Sequence, residues 1–287
     1  MKQNAPIGIF DSGLGGLAVL REVRRLLPHE DVVFLGDTAR QPYGPQPVES
    51  VRQYAIENAA YLAQQGAKLV IIACNTASVA GRDAAQACFP DLPVLGMIGP
   101  GVRGALAASQ HGRIGVWGTR ITVDSKAYDQ RILELDPDAH VQGAACPDLL
   151  RLAEKGKIDD RPLLFSLARR YFQPLADFGA DTLILGCTDL TCVRDIAEEV
   201  AGDQVTIVDP AEEVVREAGQ ILEAAGALKS EASPGSYRFF VTGDDVDNFT
   251  AFTLRFMEMP AADVTSISVD AVRQAALDIH PDCQTTA

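Results

Sequence analysis

Two stretches constrain this chain more tightly than any others. Leu69-Val-Ile-Ile-Ala-Cys-Asn-Thr-Ala-Ser78 and Thr182-Leu-Ile-Leu-Gly-Cys-Thr-Asp-Leu-Thr191 share one pattern. In each, a short apolar run passes through a small residue to a cysteine. A cluster of Asn, Thr, Ser or Asp follows, and then a segment of helical character. A near-continuous apolar run is how a strand buried on both faces of a parallel sheet reads. Ligands of α/β proteins gather at the carboxyl ends of such strands. Cys74 and Cys187 are therefore expected at two strand tips, in polar loops, as a pair working from opposite sides of one small substrate.

The rest of the chain repeats that alternation. Strands are expected at Ile7–Phe10, Val32–Leu35, the run before Cys74, Val94–Ile98, Ile114–Thr119, the run before Cys187, Val205–Asp209 and Tyr237–Val241. Helical spacing falls between them at Leu17–Leu27, Val48–Gln65, Ala77–Cys88, Asp124–Glu134, Cys146 to about Glu154, Asp159–Phe178, Val193–Val200 and Ala211–Ala225. Leu228–Ser236 reads as a loop, the stretch after Met259 carries no motif, and its last few residues are expected to be disordered. Strand–helix alternation marks a doubly wound parallel sheet. The pattern restarts after Gly99, where Ile114-Gly-Val-Trp-Gly-Thr119 parallels Ile7-Gly-Ile-Phe-Asp-Ser12. This gives an α/β fold of two similar doubly wound domains related by pseudo-symmetry, with the active site in the cleft between them. Residues 1–97 plus 208–287 form the Cys74 side and residues 98–207 the Cys187 side. Chance recurrence of strand–Gly–Ser/Thr turns is the alternative to a duplication.

Composition narrows the function. With 25 Lys and Arg against 39 Asp and Glu, the net charge is −14, which disfavours a nucleic-acid or anionic-membrane surface. No apolar run approaches the roughly 18 residues of a membrane span. Met1–Pro6 runs directly into a strand and lacks a signal-peptide core, so a cytoplasmic protein is expected. In that compartment the six cysteines, Cys74, Cys88, Cys146, Cys187, Cys192 and Cys283, should all be thiols. None forms a CxxC pair, and the four histidines lie in no metal-ligand spacing, so neither a metal nor a structural zinc is expected. The loop Asp11-Ser-Gly-Leu-Gly-Gly16 resembles a nucleotide-binding turn, but its glycine spacing is wrong and no Walker lysine follows.

Two thiols at helix N-termini fit proton transfer at carbon. A thiolate on one face takes a proton while a thiol on the other returns one, inverting a stereocentre without a cofactor. Asn75-Thr76 and Thr188-Asp189 read as N-cap residues that bring positive helix ends to both sulfurs. Hydroxyls, amides and backbone N–H groups around the loops would hold carboxylates and the developing enolate. Buried cysteines are more often inert, the reading kept for Cys88, Cys146, Cys192 and Cys283. A cysteine hydrolase would need a His partner, and none lies near either sulfur in sequence. Asp11 is either a helix cap or a carboxylate facing the Cys74 cleft. Tyr43, between Pro42 and Gly44, is either packing or substrate enclosure.

The ordered motifs Asp11-Ser-Gly-Leu-Gly-Gly16, Asp37-Thr-Ala-Arg with Pro42-Tyr-Gly44, Ala73-Cys-Asn-Thr-Ala-Ser78, Gly118-Thr119 with Thr122, Ala145-Cys-Pro147 with Glu154, Leu185-Gly-Cys-Thr188 and Thr242-Gly-Asp244 carry a resemblance. The chain resembles the aspartate/glutamate racemase family over almost its whole length. The resemblance implies two domains around a shared site and a PLP-independent two-base mechanism that yields D-glutamate for peptidoglycan. It also suggests a homodimer. It implies Cys74 and Cys187 as the acid/base pair, Asp11 supporting Cys74, and Glu154 on the Cys187 side. By the same resemblance Ser12, Pro42, Tyr43, Gly44, Asn75, Thr76, Thr119, Thr122 and Thr188 bind the amino-acid substrate.

One position departs from the family pattern. Where the family continues Gly-Cys-Thr with a His that assists the second cysteine, this chain has Asp189. Ionised, Asp189 disfavours the Cys187 thiolate; neutral, it can donate a hydrogen bond; it also reads as a plain N-cap. Two other readings stay open: a family isomerase or decarboxylase for another substrate, and an impaired paralogue that binds an acidic amino acid.

Overall fold

The apolar runs pair side by side in two parallel sheets. The computed structural model describes residues 2–230, 233–244, 246–257 and 264–279. In chain order the first half runs β1 (Ile7–Asp11), α1 (Leu17–Leu26), β2 (Val32–Gly36), α2 (Val48–Gln64), β3 (Leu69–Ile72), α3 (Asn75–Cys88) and β4 (Val94–Gly96). The second continues α4 (Ile98–Ala108), β5 (Arg113–Gly118), α5 (Arg120–Asp124), α6 (Ala127–Leu135), β6 (His140–Ala145), α7 (Pro147–Glu154), α8 (Arg161–Phe178), β7 (Thr182–Gly186), α9 (Arg194–Ala201) and β8 (Thr206–Val208). The chain then returns with α10 (Pro210–Ala224), β9 (Tyr237–Thr242), α11 (Val246–Met257), β10 (Val264–Ile267) and α12 (Val269–Ile279).

The strand orders are β10-β9-β2-β1-β3-β4 and β6-β5-β7-β8. The run β2-β1-β3-β4 is thus repeated as β6-β5-β7-β8, and the registers agree as well. Ile7 pairs with Leu69 and Ile114 with Thr182, so Cys74 and Cys187 follow their strands at the same remove. The pseudo-symmetry therefore extends to the two cysteine positions. By the same register Asp11 matches Gly118, and Asp37 matches Cys146.

Each sheet buries both faces, which is why its strands lack alternation. Leu17 and Leu20 of α1, Val214 and Leu222 of α10 and Phe249 of α11 cover one face of the larger sheet. Val51 of α2, Ala77 of α3 and Val272 of α12 cover the other. In the smaller sheet, Leu149 of α7, Leu164 of α8 and Ile196 of α9 pack against Trp117 and Leu185. Val102 of α4 and Tyr128 and Ile132 of α6 pack the opposite face. Helix ends follow local chemistry: Asp160 Oδ1 accepts from Leu163 N at 3.1 Å to start α8. Gly179 ends it at φ 77°, a conformation that favours glycine.

Several expectations are corrected. Cys88 is disulfide-bonded rather than a thiol, whereas Cys74, Cys146, Cys187 and Cys192 are thiols as expected. The compartment argument bears only on redox potential and is silent on which sulfurs the fold brings together. The expected strand Val94–Ile98 ends at Gly96, and α4 starts at Ile98. The helix expected at Asp124–Glu134 is split by Lys126, at φ 57°. α4, β6, α11, β10 and α12 have no counterpart among the expected elements. β6 lacks an apolar run, with His140 exposed and the rest half-buried, and β10 is a short edge strand. The expected disorder of the last residues, and the reading of Cys283, fall outside the described residues.

At the sheet end remote from the cysteines, Lys68 is fully buried. Its Nζ lies 2.6 Å from Glu30 Oε2 and donates to Gln3 O at 2.9 Å and Ala227 O at 2.8 Å. Glu30 Oε1 also accepts from Lys229 N at 2.8 Å. One ammonium thereby ties β3 to the segments before β1 and β2 and to the end of α10. Removing one partner of a buried pair leaves the other charge unsolvated. Lys68→Met is expected to cost about 3 kcal/mol in chemical denaturation. Adding Glu30→Gln should restore part of that loss.

Candidate active site

Parallel strands send all their following loops to one edge, and here the loop edges of the two sheets meet. Cys74 ends the first loop as the N-cap of α3, its Sγ accepting from Ala77 N at 3.5 Å. Cys187 stands at the N-terminus of a 3₁₀ turn, Thr188–Val193. The cysteines themselves occupy the cap positions expected of Asn75 and Thr188. That puts the Cys74 sulfur on an N-terminal N–H of its helix, where a thiolate gains most from the local dipole, while Cys187 holds the matching cap position without a side-chain cap bond.

Contacts across the seam tie the two loop sets together. Thr188 Oγ1 donates to Asp11 Oδ1 at 3.4 Å. Thr76 Oγ1 and Thr119 Oγ1 are 2.9 Å apart, and Thr119 Oγ1 lies 3.0 Å from Thr122 Oγ1. Tyr128 OH donates to Asn75 Oδ1 at 2.7 Å. Ser12 Oγ is 3.7 Å from Cys74 Sγ. A Cβ on Gly15 would stand 2.6 Å from Thr188 Oγ1 and 2.9 Å from Asp189 N, so the close approach of the halves requires glycine there. Asp11 does not cap α1, whose N-cap is Gly16. Its Oδ2 instead accepts from Gly13 N at 3.1 Å, holding the glycine turn while Oδ1 faces the second half.

The electrostatics of the site are dominated by burial and by acidic neighbours. Burial, then the Asp11 and Asp189 charges, push the Cys74 thiol up to about 12, against the pull of Ala77 N and Ser12. Cys187 is raised well above an ordinary thiol by burial, then by Asp189, Cys74 and Asp11. Each sulfur therefore lies in the other half's field. Asp189, 8% exposed, is raised well above the carboxylate range by burial, then by Asp11 and Glu154. The Cys187 thiol meets Asp189 Oδ2 at 3.5 Å. Asp11 and the half-buried Glu154 are also raised, chiefly by burial. Among the described residues no group of three or more His, Cys, Asp or Glu is arranged to hold a metal.

The Pro42–Gly44 loop is anchored from within. Tyr43 is packed in the core of the first half, and its hydroxyl donates to Asp37 Oδ2. Asp37 also takes Arg40 Nε at 2.7 Å and Thr242 Oγ1 at 2.8 Å, and Arg40 pairs with Glu57. The packing alternative for Tyr43 is therefore what its ring does, while Gly44 lies against Thr119 of the second half. Sequence reading missed this network and Tyr128. Glu57, a buried acid amid the Ala-rich face of α2, is the one signal that pointed to it.

Comparison with known proteins follows the same outline. A family model described as Asp/Glu/Hydantoin racemase matches residues 7–218. The chain belongs to this family. It is 40% identical over 268 residues to a glutamate racemase of Geobacter metallireducens, covering 93% of this chain and 98% of the relative. Glutamate racemase isoform RacE1 from Bacillus anthracis superposes with TM-score 0.88 at 35% identity, over 93% of this chain and 98% of that one. The Francisella tularensis glutamate racemase in complex with D-glutamate gives TM-score 0.85 at 29% identity, over 94% and 99%. The match spans both halves of the chain.

Gly15→Ala tests the seam directly. The added methyl has backbone as well as side-chain atoms in its way. The substitution is expected to cost about 1–3 kcal/mol, the usual range for overpacking, in a chemical melt. An unchanged melt would show that the loops are not held in contact.

Proposed function

We propose that this chain interconverts L- and D-glutamate by proton transfer between two cysteines, with no cofactor. The observation that supports this reading is the pair of thiols at matching strand tips, facing one seam and within each other's electrostatic reach. One sulfur, as thiolate, takes the Cα proton and becomes a thiol. The electron pair left on carbon delocalises into the α-carboxylate, and the opposite S–H delivers its proton to the other face, leaving a thiolate there. Glutamate is the substrate named for the relatives, and the Francisella enzyme holds D-glutamate.

In this reading the substrate's ammonium supplies the positive charge that the raised thiols lack. Asp11, Glu154 and Asp189 make the seam attractive to that cation. Backbone N–H groups, Asn75 and the hydroxyls of Ser12, Thr76, Thr119, Thr122 and Thr188 receive the carboxylates, with Pro42, Tyr43 and Gly44 closing the first-half side. Asp189 Oδ2 accepts from the Cys187 thiol, and its charge opposes ionisation of that thiol. A cytoplasmic setting, expected from the sequence, accompanies the reading, while a supply of D-glutamate to peptidoglycan and a homodimer rest on the family resemblance alone.

Incubation with L- or D-glutamate in D₂O is expected to give Cα deuterium uptake with loss of optical rotation. Cys74→Ala and Cys187→Ala should each cut racemisation by at least about 100-fold, as removing a general acid–base group does. Deuterium uptake without inversion would leave only one working base; activity confined to another amino acid would replace glutamate as substrate.

The pH dependence has a definite sign. A base must be deprotonated to act, so kcat/KM in each direction rises with pH through the pKa of the thiol serving as base in the free enzyme. Burial and acidic neighbours place both limbs above that of an ordinary thiol, near 12 for Cys74. Asp189→Asn removes the largest charge acting on Cys187 and only a minor one acting on Cys74. The limb for the direction that uses Cys187 as base should therefore move to lower pH, and the opposite limb should move less. Equal movement of both limbs would refute this assignment of Asp189.

A further inference from the structure

Tyr128 is buried on α6 in the second half, and nothing in the proton-transfer scheme uses it. Its ring lies beside two glycines. A Cβ at Gly186, the residue before Cys187, would stand 3.4 Å from Tyr128 Cε2, and one at Gly101 would stand 3.2 Å from Cε1. The hydroxyl leaves that packing and crosses to the first half, donating to Asn75 Oδ1 at 2.7 Å. Asn75 directly follows Cys74. A single aromatic side chain thus leans on the strand that carries one sulfur and holds the residue beside the other.

The amide it holds is incomplete. Asn75 is 1% exposed, and among the described residues its Nδ2 has no hydrogen-bond partner. A buried amide donor left unpaired costs free energy unless something completes it. With Oδ1 occupied by the tyrosine, the group left over is a donor, which is what a carboxylate needs and an ammonium does not. Burial, with the Asp209 and Cys187 charges nearby, raises the Tyr128 phenol, so the hydroxyl keeps its proton and remains a donor.

We propose that Tyr128 is a positioning residue: it fixes the Asn75 amide across the seam so that Nδ2 faces a substrate carboxylate. The proposal deepens the glutamate reading and rests on it. Without the hydroxyl, Oδ1 loses its donor and the amide is free to turn, presenting oxygen to the carboxylate in part of the population. The interaction serves ground state and transition state alike, so its loss falls on KM rather than kcat.

The test is steady-state kinetics with L- and D-glutamate on the parent, Tyr128→Phe, Asn75→Ala and the double variant, alongside thermal melts. Tyr128→Phe keeps the ring against Gly186 and Gly101 and is expected to raise KM about tenfold, with kcat within about threefold. In the Asn75→Ala background the same change should leave KM unaltered, because the amide it positions is gone. An unchanged KM in Tyr128→Phe, with or without a lower melting temperature, overturns the proposal, as do effects that add in the double variant. A parent protein that exchanges no Cα hydrogen of glutamate overturns the glutamate reading and this proposal together. An active parent with an unmoved Tyr128→Phe overturns this proposal alone.

Discussion

Burial of polar groups where two sheets meet edge to edge governs this molecule. A parallel sheet delivers each of its loops to the same edge, and placing two such edges face to face removes Asp11, Asn75, Thr76, Thr188, Asp189 and both cysteines from water together. Buried polar groups need partners, and several of those partners come from the opposite half. Thr188 reaches Asp11, Thr119 reaches Thr76, and Tyr128 reaches Asn75. The same desolvation that demands these bonds raises the thiols and carboxyls of the seam. Packing and chemistry are thus two consequences of one arrangement.

The seam also explains why its glycines are where they are. Gly15 lets the Thr188–Asp189 backbone come within contact distance, and Gly186 leaves space for Trp117 O, which a Cβ would meet at 2.6 Å. Neither position has a positive φ, so the constraint is space and not conformational freedom. The anchoring network beneath the first-half loops works differently. Asp37 gathers Arg40, Tyr43 and Thr242, joining the ends of β2 and β9 under the Pro42–Gly44 segment. Its counterpart by register in the second half is Cys146, buried with its Sγ on Gly118 O at 3.6 Å. The repeated framework therefore carries ionic anchoring in one half and an apolar plug in the other.

Where the family resemblance implies a His, this chain places a carboxyl beside Cys187, and a different set of forces governs its charge. An imidazole's ordinary pKa lies near neutrality, whereas a carboxyl's lies well below it and is raised only by burial and neighbouring acids. Asp11 and Glu154 are those neighbours. The substitution ties the state of the second sulfur to the acidity of the whole seam, and Glu154, at the end of α7, gains a reason to stand there.

The chain's own order of residues determined the strand–helix alternation, the restart that makes two halves, and the pairing of Cys74 with Cys187. Those features are written in local periodicity, and local periodicity follows from which faces an element must bury. Strands without an apolar run, such as β6 and β10, escaped that reading because their neighbours in the sheet, not their own residues, hold them. Tertiary structure alone decided that the cysteines cap their own helical turns, that Tyr43 turns inward to Asp37, that Cys88 is disulfide-bonded, and that Tyr128 meets Asn75. Each joins residues far apart in sequence or depends on the direction a side chain takes, and no spacing within one segment encodes a distance across a seam.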